Sequence, residues 1–406
     1  MAVCGLATLC IMLILTAGSV LGMEPRRSPD TRRVRLLYIG IPEPDWLPYL
    51  YLTTDPFFEV HSVPAHVNLY RWDDLRRWTR LYMPKTYDRL TEDHDVVALW
   101  GANPMIFPDR THRWIHDAVV KDGLGIKIFG LGTYHFADWM DFTCLGEVFP
   151  VEVINTDATR VWSEMRILRP ENPLIRSLPF EDIGSHGFFP GFMRMRASEG
   201  SEVIADLVPE YGSPNPFMTW WDLGEGRSFV SSVVPGSRKL GCPICEWQFL
   251  PDMISNTHLF VAAVDIPTDP VLLHEVRRAL YQYRMARKGL ISTVEFIAIF
   301  GANTIPVEQM MNLADGKIVE LGDMYLDLKL QECLYLAEEQ IASLHAAGEL
   351  AVDLKNRALL WIYVAEWLAM TGTLMVSGFV VWTLMVRRRL YREIGHTRLM
   401  KSGVLT

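Results

Sequence analysis

The chain has 406 residues, 50% of them hydrophobic and 21% charged, which is the composition of a folded protein with a substantial core and not of a disordered one. A formal net charge of -9 argues against a nucleic-acid binder, since holding phosphates requires a basic surface.

The apolar run 6–21 follows a very short N-terminus and ends at Val20-Leu21-Gly22, small or permissive residues of the kind a signal peptidase reads. Residues 1–22 are therefore expected to be a signal peptide. The alternative is an uncleaved N-terminal anchor, because no Lys or Arg precedes the run while Arg26, Arg27, Arg32 and Arg33 follow it.

Val34-Arg-Leu-Leu-Tyr-Ile-Gly40 reads as a buried strand ending in the loop Ile41-Pro-Glu-Pro-Asp-Trp46. A helix interrupted by prolines and a second strand at 57–63 follow, then a third strand at 95–100. Across residues 108–121, Trp114, Ile115, Ala118 and Val119 share one helical face, and Gly123 is a natural stop. Residues 126–130 form the next strand. Strands alternating with helices at this spacing predict a parallel, doubly wound α/β sheet.

From 148 to 234 the predicted strands are shorter, at 151–154, 203–207, 217–221 and 228–234, and Gly224-Glu-Gly226 is a tight turn between the last two. They predict an antiparallel extension of the sheet. That turn is no dinucleotide fingerprint, because it opens no helix. Residues 246–264 read as a closing helix ending before Pro267.

Beyond Asp269 only helices are predicted, at 271–287 and 328–356. The second carries Leu330, Leu334, Ala337, Ile341, Leu344, Gly348 and Ala351 in an alternating four-and-three stripe. Two partners suit such a stripe: the helix with Leu272, Val276, Leu280 and Tyr283, or another protein, including a second copy of the chain.

Between Arg357 and Arg387 only Glu366 is charged, long enough to span a bilayer at about 1.5 Å per residue. Residues 358–386 are thus a predicted transmembrane helix in contact with lipid. Trp361, Tyr363 and Trp367 at one end and Trp382 near the other suit the headgroup level, which places Glu366 at an interface. Arg387, Arg388, Arg389, Arg392, Arg398 and Lys401 make residues 387–406 a basic tail, expected in the cytoplasm, with the bulk of the chain outside it.

Six cysteines give no metal set: Cys4 and Cys10 fall in the first apolar run, and Cys242-Pro-Ile-Cys245 lacks a second pair at ligand spacing. A short-range disulfide or two thiols is the expectation there. No metal and no cofactor is expected.

The order of segments across residues 33–266 resembles the class I glutamine amidotransferase-like superfamily, particularly its membrane-associated and sugar-linked branches. The resemblance rests on Asp95-Val-Val-Ala-Leu99, Val119-Val-Lys-Asp-Gly123, Ile128-Phe-Gly-Leu-Gly132, Tyr134-His-Phe136, Val148-Phe-Pro-Val151, Asn172-Pro-Leu-Ile175 and Gly224-Glu-Gly-Arg227. It implies a flavodoxin-like domain followed by a helical membrane-proximal segment, 270–356. Active members carry a cysteine nucleophile on the turn after a sheet strand, activated by His and Glu. Here that turn is Gly130-Leu131-Gly132, with glycine where the cysteine belongs, and Val233-Val-Pro-Gly236 replaces the expected His-Pro-Glu. No catalytic residue is assigned, and Arg227 is given a structural role.

Doubly wound sheets bind ligands at the carboxyl ends of their strands. Glu43, Asp45, Trp46, Asn103, Tyr134, His135, Asp138 and Trp139 are the candidates there, suited to a polar or sugar ligand by hydrogen bonding and stacking. Three functions follow as expectations: a non-catalytic binding domain at the cell envelope, a hydrolase or sugar-processing enzyme using Glu43, Asp45, His135 and Asp138, or a structural component of a membrane assembly. Convergence of two of those four polar groups on one pocket separates the second from the others.

Overall fold

The computed structural model describes residues 23, 25–129, 135–159, 161–189, 192–233 and 243–402, with backbone alone at 135, 156–159, 185, 186, 188 and 393–402. The expected signal peptide, the Gly130-Leu131-Gly132 turn and Cys242 lie outside these residues. The chain divides into two units: one runs to Tyr281 and includes Glu320–Tyr335, and the other comprises Gln282–Val319 and the chain from Leu336.

The first unit opens with β1 (Val34–Gly40), α1 (Leu47–Thr54), β2 (Phe58–Pro64), α2 (Trp72–Tyr82), α3 (Tyr87–Asp93), β3 (Val96–Trp100), α4 (Asp109–Asp122) and β4 (Gly125–Phe129). It continues with α5 (His135–Asp141), β5 (Val151–Thr159), β6 (Ser163–Ile167), α6 (Pro173–Arg176), β7 (Phe188–Phe189), β8 (Phe192–Ala197), β9 (Glu202–Pro209), β10 (Asn215–Leu223), β11 (Gly226–Ser231) and α7 (Leu250–Val261).

Nine strands form one mixed sheet in the order β2-β1-β3-β4-β11-β10-β9-β6-β7, and β5 pairs with β8 in a second sheet. The pairs from β2 through β11 are parallel, and those from β11 to β7 antiparallel. A parallel α/β sheet with an antiparallel extension, as expected, is thus present. The sequence reading had no strand at β6 or β8 and no helix at α2 or α3.

Helices cover both faces of the parallel half, because alternate side chains of each strand point to opposite sides. Leu37, Ile39, Val97, Leu99, Ile126 and Ile128 pack with Leu75 of α2, Leu90 of α3 and Ile115 of α4. On the other face α1 packs against α7. All but one residue of α7 is buried, the mark of a helix enclosed on every side.

The Gly-x-Gly turn does more than reverse the chain. Gly224 has a φ of 62°, and a Cβ there would lie 2.1 Å from the Val120 carbonyl; at Gly226 it would lie 2.4 Å from that of Val119. Both glycines let the β10–β11 hairpin sit against the end of α4, where Glu225 N donates to Val120 O at 3.0 Å. Arg227 is structural as expected: it chelates Asp222, donates to Phe260 O at 2.9 Å and stacks over Trp220.

Beyond α7 the chain is helical: α8 (Pro270–Ile299), α9 (Ile305–Gly316), α10 (Ile318–Leu326) and α11 (Leu330–Ser402). In the second unit, Leu344, Ala347 and Ala351 of α11 bury against Tyr283, Leu290 and Ile297 of α8 and Val307, Met311 and Ala314 of α9. The stripe therefore packs within the chain. Its register is partly corrected, since Cys333, Gln340 and Ala347 are the buried positions where Leu334, Ile341 and Gly348 were expected.

The later part of α11 is different. One helix here is long and apolar enough to cross a membrane, and none of its apolar window is buried. Trp361, Trp367, Phe379 and Trp382 all stand exposed.

Candidate functional site

At the carboxyl ends of the parallel strands, the loop after β1 places Glu43 against Tyr70, whose hydroxyl donates to Oε1 at 3.0 Å. Burial and that bond push Tyr70 up to about 12. Trp46 meets Trp100 edge-on at 6.3 Å, and Trp100 packs on Phe129 at 4.7 Å. Asn103 caps the turn after β3 by accepting from Met105 N at 2.8 Å. These three expected ligand groups are doing local structural jobs.

Trp139 is a core residue and not a stacking platform. It is 1% exposed, its Nε1 donates to Ala102 O at 2.7 Å, and it packs on Phe107 and His112. Trp139 follows the expected strand-end turn, but it falls on the inner face of α5 and so turns into the core. Asp138 lies half-buried in the first turn of α5, and His135 opens that helix. Tyr134 and the side chain of His135 lie outside the described atoms. Cys144 sits in a short turn, and burial pushes its thiol up, away from the thiolate a nucleophile needs.

Asp45 is the one expected residue, among those described, that lines a cleft between α1, α7 and α8 in the first unit. This cleft of about 590 Å³ runs from the loop after β1 along α1, and is closed by the start of α7 and the first turns of α8. Leu47, Leu50, Tyr51, Leu280 and Tyr281 supply apolar wall, and Asp55, Asp252, His274 and Arg277 supply charge. An apolar cavity of this size with a few polar groups is the usual form of a small-molecule site.

A buried ion network holds the polar side of the cleft. Arg277 Nη1 donates to Asp252 Oδ1 at 2.9 Å and Asn256 Oδ1 at 2.8 Å, and its Nε donates to the Tyr325 hydroxyl at 2.8 Å. Tyr325 in turn donates to Asp55 Oδ1 at 3.1 Å. Asp55 Oδ2 lies 3.0 Å from Arg277 Nε without a hydrogen bond's angle, so that contact is Coulombic. His274 Nδ1 lies 2.7 Å from Asp252 Oδ2. Burial alone would lower the Arg277 pKa, but Tyr325, Asp55 and Asp252 outweigh it and the guanidinium is held charged. Burial above all pushes the Tyr325 hydroxyl well up.

The sequence reading missed Asp55, Asp252, His274, Arg277 and Tyr325. A signal existed for some of them: Asp252 is the one carboxylate of α7, and His274 and Arg277 are three apart, hence on one helical face. Their convergence with Asp55 and Tyr325 came from distant parts of the chain. Among the described residues no group of three or more potential ligands is arranged for a metal.

No protein-family model matches the chain, and no curated protein matches it. Two solved structures, the cytoplasmic proteins STM3548 and STM1381 of Salmonella typhimurium, each align over 56% of this chain and 99% of their own, at 15% identity and TM-scores of 0.44 and 0.42. An exo-beta-1,4-mannosidase, Op5Man5 of Opitutaceae bacterium strain TAV5, aligns over 58% of this chain and 36% of its own, at 10% identity and a TM-score of 0.31.

Proposed function

We propose that this chain is a membrane-anchored binding protein, in which an amidotransferase-like α/β domain without amidotransferase chemistry holds a small polar ligand, such as a sugar, in the cleft beside α1. The observation that carries this reading is the commitment of the cleft's charges. Asp55 and Asp252 are engaged by Arg277, and Glu43 is engaged by Tyr70. Of the carboxylates proposed for acid–base work, only Asp45 reaches the cleft among the described residues. General acid–base hydrolysis needs two such groups placed on one bond. Dispersal of Glu43 and Asp138 away from Asp45's cleft favours binding.

The family reading is supported by strand order. β2-β1-β3-β4-β11 has the 2-1-3-4-5 arrangement of flavodoxin-like sheets. Glycine at the nucleophile position and the raised Cys144 thiol support the absence of glutaminase chemistry. The apolar stretch of α11 supports a membrane anchor, and the arginines after it support an orientation with the domain outside the cytoplasm.

A thermal-shift screen of the full chain in detergent against neutral and acidic sugars tests the reading. A saturable stabilisation that Leu50→Trp abolishes, by filling the cleft, is the expected result. Ammonia release from glutamine that Cys144→Ser removes would overturn it. For the orientation, a cysteine introduced at Ser201, in a chain lacking other accessible cysteines, should react with a membrane-impermeant thiol reagent on intact cells; reaction only after permeabilisation would reverse the assignment.

A further inference from the structure

On the other face of the sheet from α1 and α7, α2 and the start of α4 border a second groove of about 560 Å³. Four cations line it: Arg76 and Arg80 from α2, Lys85 from the following loop and Arg110 from the first turn of α4. No Asp or Glu is among its described lining residues, in a chain whose formal charge is -9. Several arginines of this unit pair with carboxylates, as Arg35 does with Asp95, Arg166 with Asp206 and Arg196 with Glu152. These four have no such partner among the described residues. Asp73 lies in the adjoining depression, which it shares with Arg76, Arg77 and Arg80.

The placement carries a small repulsion that an anion would relieve. Arg76 and Arg80 are four apart on one helix, where like charges repel. Their surroundings are apolar as well: Phe107 is buried, Trp114 is half-buried, and the Arg110 guanidinium stacks over the Trp114 ring at 5.4 Å. Guanidinium groups grip carboxylate, sulfate or phosphate oxygens with paired hydrogen bonds, and aromatic rings accept the flat or aliphatic body attached to them. The volume suits a small molecule.

We infer that this groove is a binding site for an amphipathic organic anion, a molecule with one anionic head and an aromatic or short aliphatic body. The head lies among Arg76, Arg80 and Arg110, and the body on the half-buried Trp114 ring. The inference does not rest on the cleft beside α1, which uses other elements, so either can fail alone.

Equilibrium dialysis of the full chain in nanodiscs of zwitterionic lipid, with empty nanodiscs subtracted, tests it. The probe is naphthalene-2-sulfonate; 2-naphthalenemethanol supplies the body without the charge, and inorganic sulfate the charge without the body. Saturable binding of the sulfonate is expected, weakened about tenfold or more by Arg76→Gln with Arg80→Gln, a loss of about 1.4 kcal/mol or more. High salt should weaken it too, and Trp114→Ala should weaken the sulfonate while leaving sulfate unchanged. Both arginines are exposed, so an unchanged melting temperature will show that the double variant folds. No saturable binding of the sulfonate, equal binding of the alcohol, or indifference to the double substitution would overturn the inference.

Discussion

Two buried cations in the first unit meet opposite fates. Arg277, on the floor of the cleft, is 8% exposed and has Asp55, Asp252, Asn256 and Tyr325 around it. Lys127, in β4 beneath α7, is 1% exposed, donates to Thr257 and lies between the rings of Phe129 and Phe229, with no carboxylate beside it among the described residues. Burial is resisted by Coulombic partners at Arg277, which stays charged. At Lys127 burial acts alone and drives its pKa well below 10.5, and the neighbouring His258 is lowered by burial and then by Lys127. Both cations are buried; what differs is whether the fold brought an anion with them.

The largest effect that this contrast predicts is at Arg277. Arg277→Met should destabilise the chain by about 3–5 kcal/mol, because it leaves Asp55 and Asp252 buried without a counter-charge. A denaturant titration that finds it neutral would break the comparison. Asp252→Asn keeps the shape and some hydrogen bonds, so it should cost less, about 1.5–3 kcal/mol. Adding it to Arg277→Met should cost far less than the sum of the two, which a double-mutant cycle will read.

Lys127→Met is expected to go the other way, stabilising by about 1 kcal/mol or more at neutral pH, since each pKa unit of depression is worth about 1.4 kcal/mol. The folded state binds fewer protons than the unfolded state below 10.5, so wild-type stability should fall as pH drops from there towards Lys127's lowered pKa. The variant should lack that slope. Melting curves at several pH values check both statements. The smallest effect is at a third cation: Arg227→Lys, on the rim of α7, keeps the charge and some of the stacking over Trp220, and should cost less than about 1 kcal/mol. A larger loss would mean that the bidentate grip on Asp222 matters more than the stacking.

The parts of the fold that were legible share one property, a local pattern strong enough to survive without context. β1, β3 and β4 are unbroken apolar runs, and α4 carries its stripe, with Gly123 left-handed at its end. α2 was readable but not read: Leu75, Trp78 and Tyr82 recur three and four apart, the spacing of one helical face. The candidate site was legible only as a place. Asp45 reached the cleft, while Glu43 and Asn103 turned to partners within the same loops, and Trp139 turned into the core.

By itself the sequence determined the alternation of strands and helices and the apolar stretch after Arg357, in which only Glu366 is charged. Each depends on residues near one another in the chain, where hydrophobic period and residue type act directly. Tertiary structure alone decided which charges are paired. Asp55, Asp252, Arg277 and Tyr325 meet across long separations, and Arg76, Arg80 and Arg110 share a groove that joins two helices. Coulomb energy and desolvation depend on distance in space, and that distance is fixed only when the sheet and its helices have packed.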